Sequence, residues 1–251
     1  MKKNKTDWPK EIKSIVGILF VILAFRTLVY EHFQIPSGSM VPSLLVGDMP
    51  VVEKWAYGYS KHSILFSPPL FEGRIFKKNP KRGDVIVFKL PTDPSVNYIK
   101  RVIGLPGDKI QVIDGVVHIN GEPAKLTYQG EYLFEDEELG NRKVRTQMYI
   151  EVLPGGEDKP HTIIRHDINN EWAVNNTPVY TVPENHYFMM GDNRDFSKDS
   201  RFLGAVGYVH EDLLVGRAVC ILHSIANRVR LWEFWRWIQN IRYNRIFKKI
   251  V

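Results

Sequence analysis

An apolar run close to the N-terminus constrains this chain more than any other feature. Ile15 to Phe25 carries no charge, and Thr27 to Tyr30 prolongs it beyond a single interruption at Arg26. The stretch from Ile12 to Tyr30 approaches the ~20 residues a helix needs to span a bilayer. It is too long for a removable secretion signal and lacks the small-residue cleavage site of one. Arg26 would be costly at the bilayer centre, but near one end its stem carries the charge to the headgroups. Residues 1–30 therefore read as a short tail and a single transmembrane anchor, with a buried core helix as the alternative for the same pattern. Lys2, Lys3, Lys5, Lys10 and Lys13 precede or open the run, whereas Glu31-His32-Phe33-Gln34 behind it has neither Lys nor Arg. The positive-inside rule then leaves the N-terminus cytoplasmic and the remainder exported.

The placement of charge agrees. A formal net charge of +6 comes from the two ends, residues 1–13 and 227–251, and the chain between them is mildly acidic. A nucleic-acid binder spreads cations over its folded surface, so no nucleic-acid partner is expected; basic ends suit contact with an anionic lipid bilayer. Cys220 is the only cysteine, which rules out an intramolecular disulfide and a Cys-based zinc site and reads as a small hydrophobe in Ala-Val-Cys-Ile-Leu. The eight histidines are scattered without a His-Glu-x-x-His run. Neither a metal nor any other cofactor is expected.

Past Tyr30 the helical period disappears. Val85-Ile-Val-Phe88, Tyr98-Ile99 and Val102-Ile103 are short apolar runs bounded by Gly, Pro and Asp, the pattern of strands. In Lys109 to Glu122, two β-rich runs flank Asp114-Gly115, which favours a type I′ hairpin, and Asn120-Gly121 marks a further turn. The predicted class is mainly β: an N-terminal transmembrane helix, then a β-rich catalytic domain over 31–226. An inserted β lobe is expected at about 123–183, with the acidic cluster Glu135-Asp-Glu-Glu138 as a solvated loop. In the basic, aromatic segment 227–251, Leu231, Phe234, Trp235, Ile238 and Ile241 share one helical face. That suits an interfacial helix or a helix docked on the body.

Three segments could carry chemistry. In Pro36-Ser37-Gly38-Ser39-Met40-Val41-Pro42-Ser43-Leu44, prolines restrict the backbone on both sides of a Ser-Gly-Ser turn. Such a turn can hold a hydroxyl rigidly just beyond the anchor, though Ser/Gly/Pro runs are most often plain turns. In Asn97-Tyr98-Ile99-Lys100-Arg101-Val102-Ile103 a lysine sits inside an apolar run, and Tyr98 and Lys100 share a face if the run is a strand. Desolvation favours the neutral amine, which can take a proton from a serine hydroxyl; an edge-strand lysine with its amine in water is the alternative. Met189 to Gly204 packs Asp192, Arg194, Asp195, Ser197, Asp199 and Arg201 behind an apolar run, a density of charge that suits an ordered, salt-bridged loop.

Together these segments resemble the bacterial type I signal peptidase (leader peptidase) family, with its motif boxes in the family's order. The boxes stand here as Ser37-Gly-Ser-Met-Val-Pro-Ser-Leu44, Lys81-Arg-Gly-Asp-Val-Ile-Val-Phe88, Tyr98-Ile-Lys-Arg-Val-Ile-Gly-Leu-Pro-Gly-Asp108 and Gly191-Asp-Asn-Arg-Asp-Phe-Ser-Lys-Asp-Ser-Arg201. Ser43 stands where the family often has Thr. The resemblance implies a serine endopeptidase that removes signal peptides from exported preproteins after small residues of the Ala-x-Ala type. It would sit in the plasma (inner) membrane beside the translocation machinery, with its catalytic domain on the extracytoplasmic side. It further implies Ser39 as nucleophile, Lys100 as general base and Ser37 as an oxyanion donor. Ser197 would orient the amine, Asp199 and Arg201 would form a supporting ion pair, and Phe33, Ile35, Met40, Leu44, Val87, Tyr98 and Ile99 would line the substrate pockets. The penicillin-binding arrangement is excluded because Pro42 occupies the position three residues after Ser39. Two rivals stay open: a Ser/Lys maturation peptidase for one secreted or conjugative substrate, and a non-catalytic membrane-anchored β module that binds extended peptides.

Overall fold

Tyr98 to Val102, the run that carries the candidate lysine, lies in a long strand near the middle of the largest sheet. The computed structural model describes residues 8–64, 67–69, 71–136, 142–166, 174–226 and 238–251. In chain order the elements are α1 (Trp8–Leu28), β1 (Tyr30–His32), β2 (Asp48–Glu53), β3 (Val85–Leu90) and β4 (Asp93–Gly104). Then come β5 (Lys109–Ile113), β6 (Val116–Ile119), β7 (Glu122–Pro123), β8 (Lys125–Asp136) and β9 (Arg142–Val152). The last are β10 (His161–His166), β11 (Tyr180–Thr181), β12 (His186–Met190), β13 (Val209–His210) and β14 (Leu214–Ser224). A mainly β body behind one N-terminal helix is the expected class.

The main sheet has seven strands in the order β1-β2-β14-β3-β4-β12-β13. A four-stranded sheet, β11-β5-β6-β7, packs against it through Ile103, Ile110, Val112, Val117, Leu153, Tyr180 and Phe188. At about 1.5–3 kcal/mol for each fully buried large apolar side chain, this cluster contributes much of the force joining the two sheets. The β5–β6 hairpin turns as the sequence predicts: Asp114 and Gly115 both have positive φ, 49° and 73°, as a type I′ turn requires. Strands β8, β9 and β10 form a separate three-stranded sheet within the region expected to be inserted. Glu137 and Glu138 of the acidic cluster lie outside the described residues, as do Leu231, Phe234 and Trp235 of the predicted tail helix.

The helix ends earlier than the apolar run suggests. Leu28 closes α1, and Tyr30 already pairs with Glu53 in β1. The Tyr59 hydroxyl donates to the Leu28 carbonyl at 2.6 Å, satisfying one of the open acceptors at the helix end. Arg26 donates to Glu31 at 3.0 Å, and the buried Lys54 reaches the other Glu31 oxygen at 2.6 Å, so the helix leaves the body through an ion-paired joint. Among the described residues no helix is long and apolar enough to cross a membrane; Lys10, Glu11, Lys13 and Arg26 all fall within α1. Two cations of the tail turn inward. Arg245 does not face lipid: it is buried on Asp48, and Arg242 donates to the Val46 carbonyl at 2.9 Å. The acidic residue left inside the body draws these cations inward.

Candidate functional site

Ser39 sits in the short 3-10 turn Gly38–Met40, directly beyond β1. The turn is pinned from both sides. Val41 N–H donates to the Gly38 carbonyl at 3.1 Å and Leu44 N–H to Met40 at 2.9 Å. From the far side, Asn193 N–H reaches the Ser39 carbonyl at 3.2 Å and its side-chain amide the Gly38 carbonyl at 3.1 Å. Gly191 is needed for this approach, because a Cβ there would lie 2.4 Å from the Ser39 carbonyl oxygen. The loop that follows β12 and the turn carrying Ser39 are therefore built as one unit.

Lys100 enters from β4, where it lies opposite Ile86 of β3. Its side chain is 3% exposed, and Nζ lies 2.5 Å from the Ser39 hydroxyl oxygen. Tyr98, two residues back on the same face as expected, places its ring centroid 5.4 Å from Nζ. Burial lowers the Lys100 pKa from 10.5 to about 8, against the opposing pull of the Asp199 and Asp192 carboxylates, while Arg201 adds to the lowering. The amine therefore gives up its proton near pH 8 rather than above 10, and the neutral form meets a hydroxyl at hydrogen-bond distance. Ser37 lies on the same turn, its hydroxyl directed at Ser39 Oγ over 3.4 Å.

The acids around Lys100 are each held by an arginine. Asp199 accepts a two-point contact from Arg201, 2.9 Å on each side, and a bond from Gly191 N–H at 3.0 Å. Burial would raise the Asp199 carboxyl, but Arg201 outweighs it and holds the pKa below the ordinary value. Asp192 is likewise gripped by Arg101, at 2.8 and 2.7 Å, with both groups buried. Ser197 is placed differently from its expected contact: its buried hydroxyl makes no hydrogen bond to Lys100 and lies instead beside the Asp199 carboxylate, which it helps to hold ionised. It lies beneath Gly191, where an added Cβ would sit 2.2 Å from its Oγ, and the amine is directed at Ser39 instead.

Six of the seven candidate pocket residues come together. Phe33, Ile35, Met40, Leu44, Val87 and Ile99 belong to one apolar cluster, while Tyr98 packs in the neighbouring one with Phe88. Ile35, Met40, Leu44 and Val87 are buried and form a floor; Phe33, Tyr98 and Ile99 are half-buried and remain reachable from outside.

Two elements of the site were not singled out from sequence. Arg101 follows Lys100 in a strand, so alternation sends it to the opposite face; an arginine in an apolar run was the available signal of a buried ion pair. The other is Glu151 of β9, which Arg194 contacts through both guanidinium nitrogens, one at 2.7 Å, and His161 Nε2 contacts at 2.9 Å. Burial pushes the Glu151 carboxyl up, but Arg194 and His161 prevail and hold it well below the carboxylate range. This pair joins the β8–β10 sheet to the loop around Lys100, across a separation no local pattern reveals.

A mainly β body thus sets a serine hydroxyl against a buried, readily neutralised amine. The signal peptidase, peptidase S26, family pattern matches residues 8–223, and the chain belongs to that family. It is 38% identical to a signal peptidase I of Rickettsia typhi over 99% of this chain and 96% of that protein. It is 36% identical to a signal peptidase I of Rickettsia prowazekii over 100% and 96% of the two chains. A crystal structure of a signal peptidase I from Enterococcus faecalis, 23% identical, aligns over 56% of this chain and 97% of that one with a TM-score of 0.33. Membership of the family implies a membrane-anchored protein with preprotein substrates.

Proposed function

We propose that this chain is a signal peptidase I that cleaves leader peptides from exported preproteins with Ser39 as nucleophile and Lys100 as general base. The observation that carries this reading is the 2.5 Å contact between the Ser39 hydroxyl oxygen and the buried Lys100 amine. Neutral Lys100 takes the Ser39 proton as Oγ attacks the scissile carbonyl, and the Ser37 hydroxyl and Ser39 N–H receive the developing oxyanion. Lys100, now protonated, delivers that proton to the departing amine. It then activates the water that hydrolyses the ester, releasing the signal peptide's new C-terminal carboxylate and restoring Ser39. Asp199 and Arg201 hold the loop that walls the amine, and Ser197 packs beneath that loop. The substrate lies extended beside the site. Phe33, Tyr98 and Ile99 form the rims, and Ile35, Met40, Leu44 and Val87 the floor, of pockets that take the small residues before the cleaved bond.

Residues 1–30 anchor the enzyme, 31–226 form the catalytic domain with the insertion at about 123–183, and 227–251 form the basic, aromatic segment. Although α1 is not apolar enough throughout to count as an ordinary span, its 21 residues extend about 31 Å at 1.5 Å per residue, close to a hydrocarbon layer of ~30 Å. Lys10, Lys13 and Arg26 lie close enough to its ends to snorkel, and its large apolar side chains are exposed along the whole length. A single pass with the N-terminus in the cytoplasm places the site on the extracytoplasmic face of the plasma membrane. There the substrate's own apolar segment lies beside the translocation machinery. Cleavage of a preprotein by purified wild type and Ser39→Ala tests the assignment: the variant is expected to insert and fold but to process none, and wild-type processing by it would refute the nucleophile.

A further inference from the structure

The last described residues, 238–251, run back along β14 and are bonded to the turn 43–48 and to Arg101, which adjoin the two halves of the proposed dyad. Backbone bonds fix them there: Arg242 N–H to the Ser224 carbonyl at 2.9 Å, Phe247 N–H to Ile221 at 2.7 Å, Ile221 N–H to Lys248 at 3.0 Å and Ile250 N–H to Val219 at 2.9 Å. Ile250 packs on the apolar cluster that holds Ile35, Met40 and Leu44.

From this strap Arg245 extends into the body. Its Nε donates to both oxygens of the fully buried Asp48, at 3.0 and 3.1 Å, and its Nη2 donates to the Ser43 carbonyl at 3.0 Å. Asp48 also accepts from Leu45 N–H at 2.8 Å. Both ends of the turn 43–48 therefore hang on one guanidinium, and Arg242 holds its middle through the Val46 carbonyl. The same turn is bonded to the nucleophile segment by Leu44 N–H on the Met40 carbonyl. On the other side, Arg101 donates to the Val251 carbonyl at 2.8 Å while gripping Asp192 beside Lys100.

We propose that Arg245 is a positioning residue for cleavage: acting through Asp48 and the Ser43 carbonyl, it seats the turn that sets Ser39 against Lys100. The strap is thereby a working part of the active site. This inference rests on the Ser39/Lys100 reading and adds to it. The planar fork matters because it meets a carboxylate and a carbonyl at once, which a lysine ammonium cannot match. Misplacement of a reacting group by about 1 Å costs roughly 10² in rate, and that cost falls on turnover, since the pockets for the substrate remain.

The test compares full-length wild type, Arg245→Lys, Arg245→Met and the double variant Arg245→Met/Asp48→Asn, with Ser39→Ala as the zero. The double variant removes both buried charges and so keeps the test open if a single change fails to fold. For the double variant, a native melting transition with kcat reduced about tenfold to a hundredfold and KM within about twofold of wild type is expected, with Arg245→Lys, where folded, between the two. A folded double variant whose kcat stays within about threefold of wild type, or one that changes KM alone, would overturn the inference. Activity in Ser39→Ala would instead overturn the reading beneath it.

Discussion

Replacing Lys100 with methionine should abolish cleavage and at the same time stabilise the protein. The amine is 3% exposed, and burial brings its pKa from 10.5 to about 8. Between those two values the unfolded chain holds a proton that the folded chain has lost, so stability rises with pH across that window. Below about 8 the deficit is whole. A lowering of this size corresponds to about 3 kcal/mol at 1.36 kcal/mol per unit, the cost of keeping a cation in this site at neutral pH. Methionine fills nearly the same space without charge. It forfeits the contact with the Ser39 hydroxyl, worth about 1 kcal/mol, which leaves a net gain of roughly 2 kcal/mol. For a body of this size that is a rise in Tm of about 4–8 °C at pH 7. Thermal unfolding of both proteins at pH 7 and pH 10 checks the result, the gap narrowing as wild-type Lys100 neutralises in the folded chain and the buried charge is lost. A variant no more stable than wild type at pH 7, or a gap that does not narrow toward pH 10, would refute the argument that burial tunes this amine.

Ser37→Ala should lower kcat by roughly 10²–10³ with KM nearly unchanged, since an oxyanion donor acts mainly in the transition state; steady-state kinetics in which KM rises and kcat holds would place Ser37 in substrate binding instead. Protease added outside intact spheroplasts should digest the body and spare residues 1–13, and a protected body would reverse the proposed topology.

Much of this arrangement was legible before any coordinates. Alternation in Tyr98-Ile-Lys100 put the lysine and the tyrosine on one face, and the Asp114-Gly115 turn fixed its hairpin, because both depend on local backbone periodicity. The boxes located Ser39 and Lys100 without showing that 61 residues of chain bring them to 2.5 Å. What escaped were contacts between distant charges. Glu151 and Arg194 are 43 residues apart and Asp48 and Arg245 are 197 apart, so neither leaves a trace in spacing. The cations of the tail read as lipid-facing from composition alone. A buried carboxylate at Asp48 makes an inward path favourable for Arg245, and only the tertiary structure reveals that acceptor. Ser197 differs again: the resemblance directs its hydroxyl at Lys100, whereas the packing under Gly191 sets it beside Asp199.

The most direct test of the dyad is kcat/KM on a preprotein as a function of pH for wild type and Lys100→Arg. Arginine keeps the positive charge but stays protonated, with a pKa above ~12, so it cannot take the Ser39 proton. With Lys100 titrating at about 8, wild-type kcat/KM should fall about tenfold per pH unit below that value as the amine gains its proton. Lys100→Arg should be inactive at every pH. Activity in Lys100→Arg within about tenfold of wild type, a difference of ~1.4 kcal/mol, would show that a positive charge suffices there and would contradict the general-base role.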